Sequence, residues 1–236
     1  MLKVPLVFLF DVDNTLLDND RFTAELTAWL DQAFGREERE RYWAAYSARR
    51  EELGYADYLG ALQVFRAGST AQVKLQETAS FLIDYPFQEL LYPDALAAVR
   101  HLAALAPVVI VSDGDIVFQP HKIRRSGLAA AFSDRVLIYV HKQESLDDLQ
   151  SRFSADHYVM IDDKPKLLAA MKQRLGDRLT SVFVRQGHYA TEAGAGTTEP
   201  LPDMSLARIG DLLALSLADF PLAPLQAPTI TVPEAP

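Results

Sequence analysis

Val7-Phe8-Leu9-Phe10-Asp11-Val12-Asp13-Asn14-Thr15-Leu16 opens as an apolar run and ends in two carboxylates with a hydroxyl beside them. A short run rich in β-branched and aromatic residues reads as a buried strand. Extended residues two apart face the same side, so Asp11 and Asp13 can address one site at the strand's C-terminal end. Open α/β sheets bind ligands at that edge. Paired carboxylates with a hydroxyl suit an oxygen-ligated metal and phosphoryl chemistry. The plain alternative for this segment alone is a turn at Asp13-Asn14 after a core strand, with Asp11 as a helix cap.

Working outward, Leu16 is followed by about 75 residues of helical pattern. Phe22, Leu26, Trp29, Leu30 and Phe34 keep helical spacing up to Gly35, and a densely charged stretch from Arg36 to Leu53 carries Tyr42, Trp43 and Tyr46. Two more helices are expected over Ala56 to Arg66 and Thr70 to Asp84. Strands and helices then alternate. A helix runs from Tyr92-Pro93-Asp94 to about Leu105, then come a strand over Val108 to Val111 and a helix over Gln119 to Ser126. Further strands are expected at Val136 to Val140, Tyr158 to Ile161 and Ser181 to Val184, with helices at Leu146 to Phe153 and Pro165 to Leu175 between them. This order predicts an α/β fold, a Rossmann-like parallel sheet with helices on both faces and right-handed crossovers. A last helix is expected over Met204 to Leu217. The Pro-rich end, residues 221–236, reads as an extended tail.

The expected strand ends collect chemistry. The second strand ends in Ser112-Asp113-Gly114, a hydroxyl and free N–H groups that can cradle a phosphate. The third ends in His141-Lys142, and the fourth in Asp162-Asp163. Adjacent acids after a buried strand need a positive partner. A divalent cation is one candidate, and Lys164 or Lys166 another. Each of these pieces alone also reads as an ordinary turn or a solvated charge.

Composition narrows the partners. The 236 residues are 49% hydrophobic, enough for one large core and a small accessory module, and the net charge of −9 with a pI near 5.0 argues against a nucleic-acid polymer or an anionic membrane surface. There is no cysteine, which removes disulfides, thiolate metal sites and cysteine nucleophiles. The apolar N-terminus is too short for a membrane span and lacks a cleavage site, so the expected location is cytoplasmic. Oligomeric state is left open.

The ordered set Asp11-x-Asp13-x-Thr15, Ser112, Lys142, Asp162-Asp163 resembles the haloacid dehalogenase superfamily of phosphohydrolases, over about Val4 to Val184. The resemblance implies a catalytic core at 1–17 and 91–220, with the helical block at 18–90 as a small all-helical cap inserted after the first strand. It implies Asp11 as nucleophile and Asp13 as general acid/base, with Thr15, Ser112, Asp113 and Lys142 around the phosphate. Mg²⁺ would be held by Asp11, the backbone carbonyl of Asp13, Asp162 and Asp163. Many members carry another acid four or five residues later; Lys166 and Leu167 stand there, so Asp163 takes that part. Lys122 rivals Lys142 for the lysine role.

The implied activity is a Mg²⁺-dependent phosphatase that hydrolyses a small phosphorylated metabolite through an aspartyl-phosphate. Resembling dehalogenases and phosphonatases lack an acid at the place of Asp13, and phosphomutases usually replace the threonine with an apolar residue. A phosphomutase and a non-catalytic binding or scaffold protein are the alternatives. A response-regulator receiver fits less well, because its acid pair precedes a separate nucleophile. Arg49, Arg50, Arg66 and Lys74 of the helical block are candidates to meet an anionic leaving group, or else a solvated face. Trp29, Trp43 and the tyrosines read as core, and His188 as a rim or surface residue.

Overall fold

Six parallel strands form one sheet in the order β3-β2-β1-β4-β5-β6: β1 (Val4–Phe10), β2 (Val108–Asp113), β3 (Val136–Tyr139), β4 (Ala155–Asp162), β5 (Leu179–Val184) and β6 (Met204–Leu206). The computed structural model describes residues 3–191 and 198–220; the tail expected at 221–236 lies outside them. The chain starts in the middle of the sheet at β1, builds outward to β3, then crosses over to β4 on β1's other side. That reversal of strand order opens a crevice at the C-terminal ends of β1 and β4. Register continues into it, since the Asp11 N–H donates to the Ile161 carbonyl at 3.0 Å.

The period of two in β1 sorts its side chains onto two apolar layers. Phe8 and Phe10 join a cluster with Val99, Leu102, Ile123 and Leu128; Val7 and Leu9 join another with Leu146, Leu149, Leu168 and Met171. Helices α5 (Ala95–Ala103), α6 (Phe118–Arg125) and α7 (Leu128–Ala131) therefore cover one face, and α8 (Leu146–Arg152) and α9 (Pro165–Leu175) the other.

Between β1 and α5 the chain forms a block of four α-helices: α1 (Asn19–Phe34), α2 (Arg36–Leu53), α3 (Tyr58–Arg66) and α4 (Gln72–Asp84). Asp18 caps α1 by accepting from the Arg21 N–H at 2.9 Å, and Asp57 caps α3 by accepting from Gly60 N–H at 2.7 Å. Phe22, Leu26 and Leu30, one turn apart, are the buried stripe of α1. The block enters and leaves through a paired neck, Asp18 N–H to the Leu90 carbonyl at 2.8 Å and Tyr92 N–H to the Leu16 carbonyl at 3.0 Å. Phe118 at the start of α6 lies beneath it, with ring centroids 5.4 Å from Tyr58 and 5.8 Å from Phe87. Among the described residues no helix is long and apolar enough to cross a membrane.

The helix expected over Met204 to Leu217 is not formed. Met204–Leu206 is strand β6, followed by 3₁₀ turns at Ile209–Ala214 and Leu217–Asp219. Carboxylates take the backbone groups that a helix would need. Asp211 accepts from the N–H of Ala207 and Arg208 at 3.0 and 3.1 Å, and Asp219 from Ser216 N–H at 2.7 Å. Asp203 accepts from Ser181 N–H and Oγ, both at 2.8 Å, and so seats β6 against β5. The helix expected from Tyr92 begins only at Ala95, because Asp94 adopts a left-handed conformation at φ 65°.

Candidate active site

Asp11 lies one residue past β1 and is buried at the centre of the crevice. Lys142, fully buried, places its Nζ 2.5 Å from Asp11 Oδ1 and 2.6 Å from Asp162 Oδ2, and donates to the Val111 carbonyl at 3.2 Å. The backbone that aims this lysine is held in turn, as its N–H donates to Asp113 Oδ1 at 2.8 Å. Thr15 Oγ1 donates to Asp11 Oδ2 at 3.3 Å.

Asp13 turns to a different cation. Lys122 of α6, also buried, reaches Asp13 Oδ1 at 2.5 Å, and Gln119 Nε2 donates to Asp13 Oδ2 at 3.3 Å and to Ser112 Oγ at 2.9 Å. The two lysines weighed as rivals thus serve different acids. Their spacing along α6 explains the pairing of Gln119 and Lys122, since residues three apart share a helix face.

Asp11, Asp162 and Asp163 are buried, and one carboxylate oxygen from each lies within 4.8 Å of the others. Among the described residues both oxygens of Asp163 lack a hydrogen-bond partner; Asp162 Oδ2 touches Lys142 as an ion pair but outside hydrogen-bond angles. Burial, then repulsion from Asp162 and Asp11, pushes the Asp163 carboxyl up to about 9. Burial raises Asp162 to about 6 against the pull of Lys142. Burial opposes ionisation of Asp11 too, but Lys142 and Lys164 outweigh it and hold its pKa below the usual carboxylate value. Lys142 itself is disfavoured as a cation by burial, yet Asp11 and Asp162 raise its pKa above the ordinary lysine value.

Every residue expected at the site from the sequence reaches this crevice, through the contacts just given. Asp11, Asp162 and Asp163 cluster, whereas the Asp13 side chain lies with Lys122 and Gln119. Gln119 carried no sequence signal beyond its place on α6. Lys164, weighed only as a partner for the acids, also lies over the Tyr189 ring, with Nζ 5.3 Å from its centroid.

Above the acids lies a cavity of about 120 Å³ bounded by core and helical block, with Asp13, Asp113 and Lys164 on one side and Tyr46, Arg50 and Tyr55 on the other. The loop after β5 closes a third side. Gly187 passes so near Asn14 that a Cβ there would sit 2.5 Å from it, and its φ of 66° also demands glycine. Beyond it His188 Nδ1 meets Asp20 Oδ1 at 2.6 Å, and Asn14 Nδ2 donates to the same carboxylate oxygen at 3.0 Å. Tyr42 is fully buried, as expected of a core aromatic, and Trp29 stacks half-buried on Phe81, whereas Tyr46, Tyr55 and Tyr189, also expected in the core, line the cavity.

Comparison with known proteins agrees with this geometry. A solved structure of a haloacid dehalogenase-like hydrolase from Burkholderia xenovorans LB400 is 52% identical over 90% of this chain and 96% of its own, with a TM-score of 0.84. A haloacid dehalogenase-like hydrolase from Xanthomonas campestris is 20% identical (TM-score 0.64, covering 89% of each chain), and an L-2-haloacid dehalogenase from Xanthobacter autotrophicus 18% (TM-score 0.58, covering 91% and 98%); these two share the fold. A search of curated proteins finds no match. The family model for haloacid dehalogenase-like hydrolases matches residues 6–182, and with the Burkholderia relative it establishes that this chain belongs to the haloacid dehalogenase-like hydrolases.

Proposed function

We propose that the chain is a Mg²⁺-dependent phosphomonoesterase that hydrolyses a small phosphorylated metabolite. The carrying observation is the buried triad of Asp11, Asp162 and Asp163, in which neither Asp163 oxygen has a hydrogen-bond partner among the described residues. Buried carboxylates stripped of water and of hydrogen bonds are costly, and hard oxygen donors are what Mg²⁺ prefers. The three acids, with the backbone carbonyl of Asp13, would hold the ion. There it would supply positive charge against the phosphoryl oxygens.

The chain's own residues account for the rest. A carboxylate approaching a phosphate dianion meets like charge, about 4 kcal/mol for unit charges 4 Å apart at an effective dielectric of about 20. Lys142, touching Asp11, offsets that repulsion and keeps Asp11 ionised. Asp11 attacks phosphorus, the bond from phosphorus to the leaving oxygen breaks, and Asp13 protonates that oxygen. Water then attacks the aspartyl-phosphate as Asp13 takes its proton, releasing phosphate and restoring Asp11. Lys122 and Gln119 hold Asp13 at its post, Ser112, bonded to the same Gln119, faces the phosphoryl oxygens, and Thr15 orients Asp11. Helices α1–α4, entering through the paired neck, serve as the cap.

Asp13 also separates this reading from dehalogenation. An alkoxide needs a proton to leave; a halide does not. Release of inorganic phosphate from a panel of phosphomonoesters, with Mg²⁺ and with EDTA, tests the proposal. Metal-dependent release is expected, and release indifferent to EDTA, or none from any ester, overturns it.

A further inference from the structure

Of the four cations on the helical block that could meet a substrate anion, three are engaged elsewhere. Arg49 is held by Asp57 Oδ2 at 2.7 and 2.5 Å, Arg66 donates to Gln63 at 3.0 Å, and Lys74 donates to the Ala33 carbonyl. Arg50 alone of the four lines the cavity above the acids. It makes no ion pair among the described residues; its Nη2 donates to the Tyr189 hydroxyl at 3.0 Å. Lys164 faces the same tyrosine ring, so Tyr189 stands between two cations on the cavity wall. The acids of that wall are already engaged, Asp13 by Lys122 and Asp113 by the Lys142 N–H. Lys164 is drawn to Asp11 and Asp162 below, so Arg50 is the cation of this wall without an acid partner among the described residues.

Its position gives that charge a target. Asp13, the proton donor to the leaving oxygen under the phosphatase reading, lines the same space, so the leaving alcohol is accommodated there. At about 120 Å³ it is smaller than the ~300–1,000 Å³ typical of drug-sized ligands. We propose that Arg50, steadied by Tyr189, binds an anionic group on the leaving alcohol, which makes the substrates small phosphomonoesters bearing a second oxyanion. A guanidinium fork suits a carboxylate or a phosphate. The inference rests on the phosphatase reading and narrows it.

The test compares kcat/KM within two matched pairs: 2-phospholactate against its neutral amide, and 1,3-propanediol bisphosphate against 3-hydroxypropyl phosphate. The charged member is expected to be favoured by about 10–100-fold, the range of a hydrogen-bonded charged contact. Preference in the first pair identifies a carboxylate, in the second a phosphate. Arg50→Ala should reduce the preference to within about threefold, mainly through KM, with Arg50→Lys retaining part of it. Equal use of charged and neutral esters, or an Arg50→Ala loss equal for both, overturns the subsite while leaving the phosphatase reading intact. No phosphate release from any ester, p-nitrophenyl phosphate included, defeats that reading and this inference with it.

Discussion

At the floor of the site Lys142 is fully buried, 2.5 Å from Asp11 and 2.6 Å from Asp162, whereas at the mouth His188 meets Asp20 at 2.6 Å with 50% of its side chain in water. Contacts of similar length differ in what they are worth. At the floor, removing one partner strands a charge away from solvent, and the cost is large. At the mouth, water and salt replace what is lost. Chemistry that depends on fixed charge belongs at the floor, and selection among substrates at the mouth.

The largest expected effect is on turnover. Asp11→Asn keeps the shape of the floor but removes the proposed nucleophile, and kcat should fall by at least about 10⁴-fold, with the circular dichroism spectrum unchanged. Residual activity within about tenfold of wild type would move the nucleophile elsewhere. Lys142→Met should lower stability by about 3–5 kcal/mol in denaturant unfolding in EDTA, because Asp11 and Asp162 then face each other without their shared cation. A loss below about 1 kcal/mol would show that Lys164 alone carries the floor's charge balance.

Asp163→Asn separates metal from lysine as the partner of the acids. In wild type, MgCl₂ at 100 times its Kd should raise stability by about 2.7 kcal/mol. In the variant the same titration should add less than about 0.5 kcal/mol, read as a shift in Tm. A wild-type-sized shift would remove Asp163 from the ligand set.

The floor was legible in the sequence because its acids follow directly on strands, and a parallel sheet delivers strand ends to one edge. That rule brings Asp11, Ser112, Lys142 and Asp162 to one sheet edge, and the family resemblance supplied their expected roles. The mouth was not legible. Arg50 ends a long charged helix, and Tyr189 sits in a loop whose course depends on Gly187 passing Asn14. No spacing in the chain announces that the two meet. The apolar residues from Met204 onward have a period that suits a helix, but Asp211 and Asp219 bind backbone groups locally, and Asp203 ties the segment to Ser181 at the edge of β5. Periodicity reports which residues seek a core, and short-range carboxylate contacts can still choose the backbone.

His188→Ala gives the smallest expected change and the sharpest check on the contrast between floor and mouth. It removes the imidazole from Asp20 but leaves the His188 N–H, which donates to Asp20 Oδ2 at 2.7 Å, and the Asn14 amide in place. With two donors remaining, the carboxylate is not orphaned, and partial exposure lets water take the third position. Stability should fall by no more than about 1 kcal/mol, and by less in high salt. Hydrolysis of a neutral ester such as 3-hydroxypropyl phosphate should be unchanged within about twofold, since the floor does not touch the imidazole. A loss of several kcal/mol would mean that the loop after β5 is as integral to the fold as the buried lysine, and that Arg50 and Tyr189 are held by a structure as stiff as the acids below them.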